Sequence, residues 1–160
     1  MQTVQIPMAE LIKVIRLQLE TAGRATLTVT GYSMLPKLRQ GRDTVILAPV
    51  SGQLKPGDIA LYQRENGSYV LHRVISVTPE AYSFCGDNQA ELEPVTHQQL
   101  IAVVSGYIRS GKEYSGDGIG DRLYRWCQVH LFGTRTYYIA LRRKLGRLRQ
   151  RLFKRRNNHG

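Results

Sequence analysis

The chain has only two cysteines, Cys85 and Cys127, in 160 residues. That is too few to staple a small domain, and their placement fits no zinc-ligand spacing. No apolar run approaches the ~20 residues needed to cross a bilayer; the best, Leu100 to Val104, is strand-sized. The N-terminus shows no basic stretch followed by a continuous apolar segment, so no secretory signal is read there. These absences point to a cytoplasmic protein with reduced thiols. Carboxylates are missing from the last quarter of the chain: residues 122–160 hold 12 Lys/Arg and no Asp or Glu. Residues 1–121 hold 11 Lys/Arg and 12 Asp/Glu, so the net charge of +11 belongs to the C-terminal segment. Such asymmetry calls for an acidic partner surface, anionic lipid or nucleic acid. What is present otherwise is ordinary, with 42% hydrophobic and 22% charged residues. A chain of this length can bury its own core.

The spacing predicts a helix from about Pro7 to Ala22. Met8, Leu11, Ile12, Ile15 and Leu19 form one apolar stripe, and Gly23 supplies a stop. From Ala25 the period changes to two, with Ala25, Leu27 and Val29 alternating with Thr26, Thr28 and Thr30. Further strands are expected at Thr44–Ala48, Ile59–Gln63, Tyr69–Val77, Ala81–Cys85 and Leu100–Ile108. Turn residues separate them, at Gln40-Gly41, Lys55-Pro56-Gly57-Asp58, Glu65-Asn66-Gly67 and Gly86-Asp87-Asn88. Short, closely spaced strands of this kind imply a mainly β fold, an antiparallel sheet or partly open barrel. Gly111 to Gly120 reads as a glycine-rich loop, and residues 121–156 return to helical spacing.

Four local patterns occur in order: Gly31-Tyr32-Ser33-Met34-Leu35-Pro36, Lys55-Pro56-Gly57-Asp58-Ile59, Leu71-His72-Arg73-Val74-Ile75 and Gly86-Asp87-Asn88. Each alone is a commonplace turn or strand. As an ordered set they resemble the superfamily of signal peptidases and LexA-type self-cleaving proteins, over about Thr28 to Ile108. That resemblance implies a coiled antiparallel β-sheet fold, with residues 1–110 as the catalytic domain, 111–120 as a loop and 121–160 as a basic helical tail. It implies Ser33 as nucleophile and His72 as general base. Where many relatives carry a lysine base, this chain has histidine, which is similar to the endoplasmic-reticulum and sporulation-type signal peptidases. Asp87 then matches the acid that orients the imidazole. Glu93, six residues further on, is the alternative acid. Tyr32 and Met34 flank the nucleophile as candidate substrate contacts.

The chemistry of these residue types agrees. A serine hydroxyl must lose its proton as it attacks, and a neutral imidazole can take that proton and pass it to the leaving amine. A carboxylate beside the other ring nitrogen sets the tautomer. Ser33 and His72 are 39 residues apart, so only tertiary structure can join them. The backbone N–H of Ser33 is the natural oxyanion donor; Gly31 stands where many relatives have a second, hydroxyl donor. His97, His130 and His159 show no ligand spacing with the cysteines, and no metal or cofactor is expected.

From Tyr137 onward, Leu141, Leu145, Leu148 and Leu152 recur at helical intervals among arginines and lysines. This predicts a basic amphipathic helix over 137–156 suited to an anionic membrane surface, with packing on its own domain or binding a partner peptide the second reading and nucleic acid the third. The expected function is a serine endopeptidase acting on a peptide or protein, for instance a leader or signal peptide, in the cytoplasm or on the inner membrane face. Alternatives are a LexA-like self-processing regulator and a non-catalytic peptide-binding module docked to membrane.

Overall fold

The computed structural model describes residues 7–135, 137, 138 and 141. Helix α1 spans Met8–Ala22 and buries Ile12, Ile15 and Leu19. It ends where Gly23 adopts a left-handed conformation (φ 66°) and donates its N–H to the Leu19 carbonyl at 3.1 Å.

Among the described residues eight strands follow: β1 (Ala25–Thr28), β2 (Asp43–Ala48), β3 (Ile59–Gln63), β4 (Tyr69–Val77), β5 (Ala81–Cys85), β6 (Glu93–Thr96), β7 (Leu100–Arg109) and β8 (Lys112–Tyr114). They form one antiparallel sheet in the order β1-β2-β7-β3-β4-β5-β6, with β8 added to β7. The sheet curls into a half-barrel. Register slips at Ile46/Leu47, Leu61/Tyr62 and Val74/Ser76 mark bulges, which add local twist and bend.

The curl gives two apolar clusters. One gathers Ile12, Ile15 and Leu19 of α1 with Leu27, Val45, Leu47, Leu61 and Ala102; the other gathers Ala60, Tyr62, Val74, Tyr82, Phe84 and Val95. Asp43, buried at the start of β2, is held by Arg42 and Arg109.

All five later strands lie within a residue of their predicted bounds and β1 is two residues shorter, while the sequence does not predict β6 or β8. Proline at position 94 suppresses the strand signal of β6, yet an edge strand tolerates it. β8 lies inside the expected glycine-rich loop and pairs with β7 while Tyr114 stacks on Tyr107 at 5.2 Å. Helix α2 (Ile119–His130) begins the basic segment and packs on the domain rather than standing apart from it. Tyr124 donates its hydroxyl to Asp87 at 3.1 Å, and Gln128 is buried. The helix predicted over 137–156 lies outside the described residues except Tyr137, Tyr138 and Leu141, which are exposed. Among the described residues no helix is long and apolar enough to cross a membrane.

Candidate active site

Strand β4 pairs with β3 so that His72 lies opposite Ala60, and with β5 so that Arg73 lies opposite Cys85. Adjacent strand residues project to opposite sides of the sheet. The pair His72-Arg73 therefore serves two separate environments, and both side chains are buried.

On one side Arg73 forms a two-pronged ion pair with Asp87, Nε to Oδ1 at 2.7 Å and Nη2 to Oδ2 at 2.8 Å. Its Nη1 donates to the Gly57 carbonyl at 2.7 Å, which ties the Lys55-Pro56-Gly57-Asp58 turn to the same centre. Tyr124 completes the coordination of Asp87, and the Arg73 guanidinium lies over the Tyr124 ring. Burial, then the Asp87 charge, pushes the Tyr124 phenol well above its ordinary range.

The same turn positions the serine. Asn88 donates its backbone N–H to the Ser33 carbonyl at 2.8 Å, and its side-chain amide reaches the Tyr32 carbonyl at 3.4 Å. A Cβ on Gly86 would stand 2.8 Å from the Ser33 oxygen, so only glycine lets the two turns touch. Gly31 takes φ 78° and donates its N–H to Gln40 Oε1 at 2.8 Å. Among the described residues, neither the Ser33 N–H nor its Oγ forms a hydrogen bond. Both are therefore available to a ligand. The Leu35–Pro36 bond is cis.

On the other side of β4, His72 Nδ1 lies 3.2 Å from the Tyr62 hydroxyl and 4.0 Å from Glu93 Oε2. Glu93 is gripped by Arg64, Nε to Oε1 at 2.6 Å and Nη2 to Oε2 at 2.7 Å. Arg64, assisted by Tyr62, holds the Glu93 carboxyl below its ordinary range. Burial lowers the His72 pKa to about 4, against the opposing pull of Glu93 and Asp87. The imidazole is therefore neutral at pH 7, the form that can accept a proton. Burial and the adjacent Glu93 charge push the Tyr62 phenol far up, so it stays protonated.

Ser33 and His72 line one cleft of about 270 Å³. Its walls include Leu27, Val29, Met34, Leu61, Tyr69 and Leu71, together with the polar Arg64 and Gln89. The sequence expectation gave Asp87 preference over Glu93 as the orienting acid. Asp87 is instead occupied by Arg73 and Tyr124, and Glu93 is the carboxylate next to Nδ1. Of the two candidate substrate contacts, Met34 is buried in the cleft wall and Tyr32 is 67% exposed outside it. Sequence reading did not find Tyr62 and Arg64. The β3–β4 hairpin register carried the signal, because Tyr62 is two residues from Ala60, the partner of His72, and so shares its face.

Comparison with known proteins returned no matching family, no matching curated protein and no matching solved structure.

Proposed function

We propose that the protein is a serine endopeptidase, similar to the signal-peptidase and LexA-like superfamily, with Ser33 as nucleophile, His72 as general base and Glu93 as the acid behind the base. The observation that carries this reading is the shared cleft of Ser33 and His72, joined from positions 39 residues apart, with a neutral imidazole and an unpaired serine hydroxyl. In the reaction Ser33 Oγ attacks the scissile carbonyl carbon as His72 takes its proton. The Ser33 N–H faces the developing oxyanion, a contribution of ~3 kcal/mol per such donor. Collapse breaks the C–N bond, and the proton passes to the leaving amine. Water then attacks the acyl-enzyme, with His72 accepting its proton and returning it to Ser33. Met34 and Leu71 line the cleft, and the resemblance implies small side chains beside the cleaved bond.

Ile119, Leu123 and Trp126 form an exposed apolar stripe on α2, at 88%, 61% and 53% exposure. This stripe, which leads into residues 122–160 with their 12 cations and no carboxylate, supports placing the protein against an anionic membrane surface.

The function is tested by incubating the protein with a mixed peptide library and reading new termini by mass spectrometry. Cleavage is expected from the wild type and not from Ser33→Ala or His72→Ala. Full activity in either variant overturns the reading.

A further inference from the structure

We propose that Tyr62 is a positioning residue: its hydroxyl, 3.2 Å from His72 Nδ1, together with the Glu93 carboxylate 4.0 Å from the same nitrogen, fixes the imidazole as the Nδ1–H tautomer and leaves Nε2 as the basic nitrogen. The catalytic consequence rests on the peptidase reading above, but the tautomer itself does not.

The argument is a count of protons and acceptors. A phenol hydroxyl has one proton to give and lone pairs to receive with, while neutral imidazole has one N–H and one bare nitrogen. Two groups face His72 Nδ1: the Tyr62 hydroxyl at 3.2 Å and Glu93 Oε2 at 4.0 Å. Glu93 is ionised, being clamped on both oxygens by Arg64. A negative charge 4.0 Å from Nδ1 favours a proton on that nitrogen. Nδ1–H then donates to the Tyr62 oxygen at 3.2 Å. In the opposite arrangement a bare Nδ1 would accept from the phenol O–H, the ring proton would sit on Nε2, and Nε2 could not serve as the base.

Separation of the acid from the base has a reason in this geometry. Glu93 is 4.0 Å from Nδ1, beyond direct hydrogen bonding, whereas the Tyr62 oxygen at 3.2 Å is within it. The Tyr62 ring is fully buried and packs on Phe84 at a centroid distance of 4.8 Å, which fixes where the hydroxyl sits. Because the buried phenol resists ionisation, it does not give up its proton during attack. Tyr62 thus orients the base without entering the proton transfer.

Nitrogen-15 correlation spectra of the imidazole at pH 7, recorded on the unliganded protein, read the tautomer directly. The wild type is expected to show Nδ1 protonated and Nε2 bare. Tyr62→Phe keeps the buried ring and should lose that preference, and Glu93→Gln should lose it with the tyrosine still present. The rate at which a fluorophosphonate modifies Ser33 should fall roughly 10²-fold in Tyr62→Phe, short of the ~10⁴-fold seen when a serine-protease triad is forced into the wrong tautomer. An Nε2-protonated wild type overturns the proposal, as does a Tyr62→Phe protein with wild-type tautomer and labelling rate. If the wild type carries the Nδ1 proton but no phosphonate adduct forms, the tautomer assignment stands and the peptidase reading fails.

Discussion

Asp87→Asn and Glu93→Gln are each the loss of one carboxylate charge near the same histidine, yet the structure assigns them opposite consequences. Asp87 is fully buried against Arg73, itself 3% exposed, so neutralising it leaves a guanidinium in the interior without its counter-charge. Breaking a buried pair from one side costs roughly 3–5 kcal/mol. For a chain of this length each kcal/mol moves Tm by about 2–4 °C, which gives a drop of roughly 6–20 °C. Glu93 and Arg64 retain 25% and 38% side-chain exposure, and pairs so placed contribute about 1 kcal/mol or less. Glu93→Gln should therefore move Tm by no more than about 4 °C. Reactivity should follow the reverse order. Measured well below the melting transition, Asp87→Asn should label with fluorophosphonate within about tenfold of wild type, whereas Glu93→Gln should slow labelling roughly 10²-fold. Calorimetry and a labelling time course on the two variants decide it. A stable, unreactive Asp87→Asn beside a fully reactive Glu93→Gln would refute the division of roles.

Gly86→Ala should lower stability by about 1–3 kcal/mol, because the added methyl would stand 2.8 Å from the Ser33 oxygen and force the turn aside; denaturant midpoints and labelling rate should both fall, and wild-type values for both would show that the close approach is unimportant. His72 is neutral in the fold down to a pKa of about 4 but titrates at 6.5 when unfolded. The unfolded chain binds more protons in that window, so the stability associated with neutral His72 is complete above pH 6.5 and is lost as pH falls toward 4. At about 1.4 kcal/mol per pH unit the loss approaches 3 kcal/mol, measurable as wild type minus His72→Gln in urea titrations at both ends. The acid limb of the labelling rate should lie nearer pH 4 than 6.5, and a limb at or above 6.5 would contradict the buried neutral base. Replacing Ile119, Leu123 and Trp126 together by serine should abolish flotation with vesicles rich in phosphatidylserine, while uncharged vesicles should not recruit the wild type; unchanged flotation of the triple variant would remove α2 from the membrane contact.

Much of the frame was legible because its periods are clean. The apolar stripe of α1, the alternation in β1 and the runs that became β3, β4 and β5 are local patterns, and local patterns survive folding. β6 was hidden by Pro94, and β8 by the glycines on either side of three exposed residues. At the site, motif order singled out Ser33, His72, Asp87 and Glu93 but could not say which carboxylate faces the base. That choice is made by register: the residue after His72 points the other way and takes Asp87 with it, while β6 brings Glu93 back to the His72 side. The role of Gly86-Asp87-Asn88 was likewise only half legible. Its turn composition was plain, but its grip on the Ser33 and Tyr32 carbonyls depends on two loops that meet only in three dimensions.

The central claim is that His72 activates Ser33, and the most direct measurement is the site and rate of fluorophosphonate modification, mapped by peptide mass spectrometry at pH 7. The account predicts one adduct, on Ser33, that disappears in Ser33→Ala and slows by three or more orders of magnitude in a folded His72→Ala. An adduct elsewhere, or labelling of Ser33 at the same rate without His72, would contradict it.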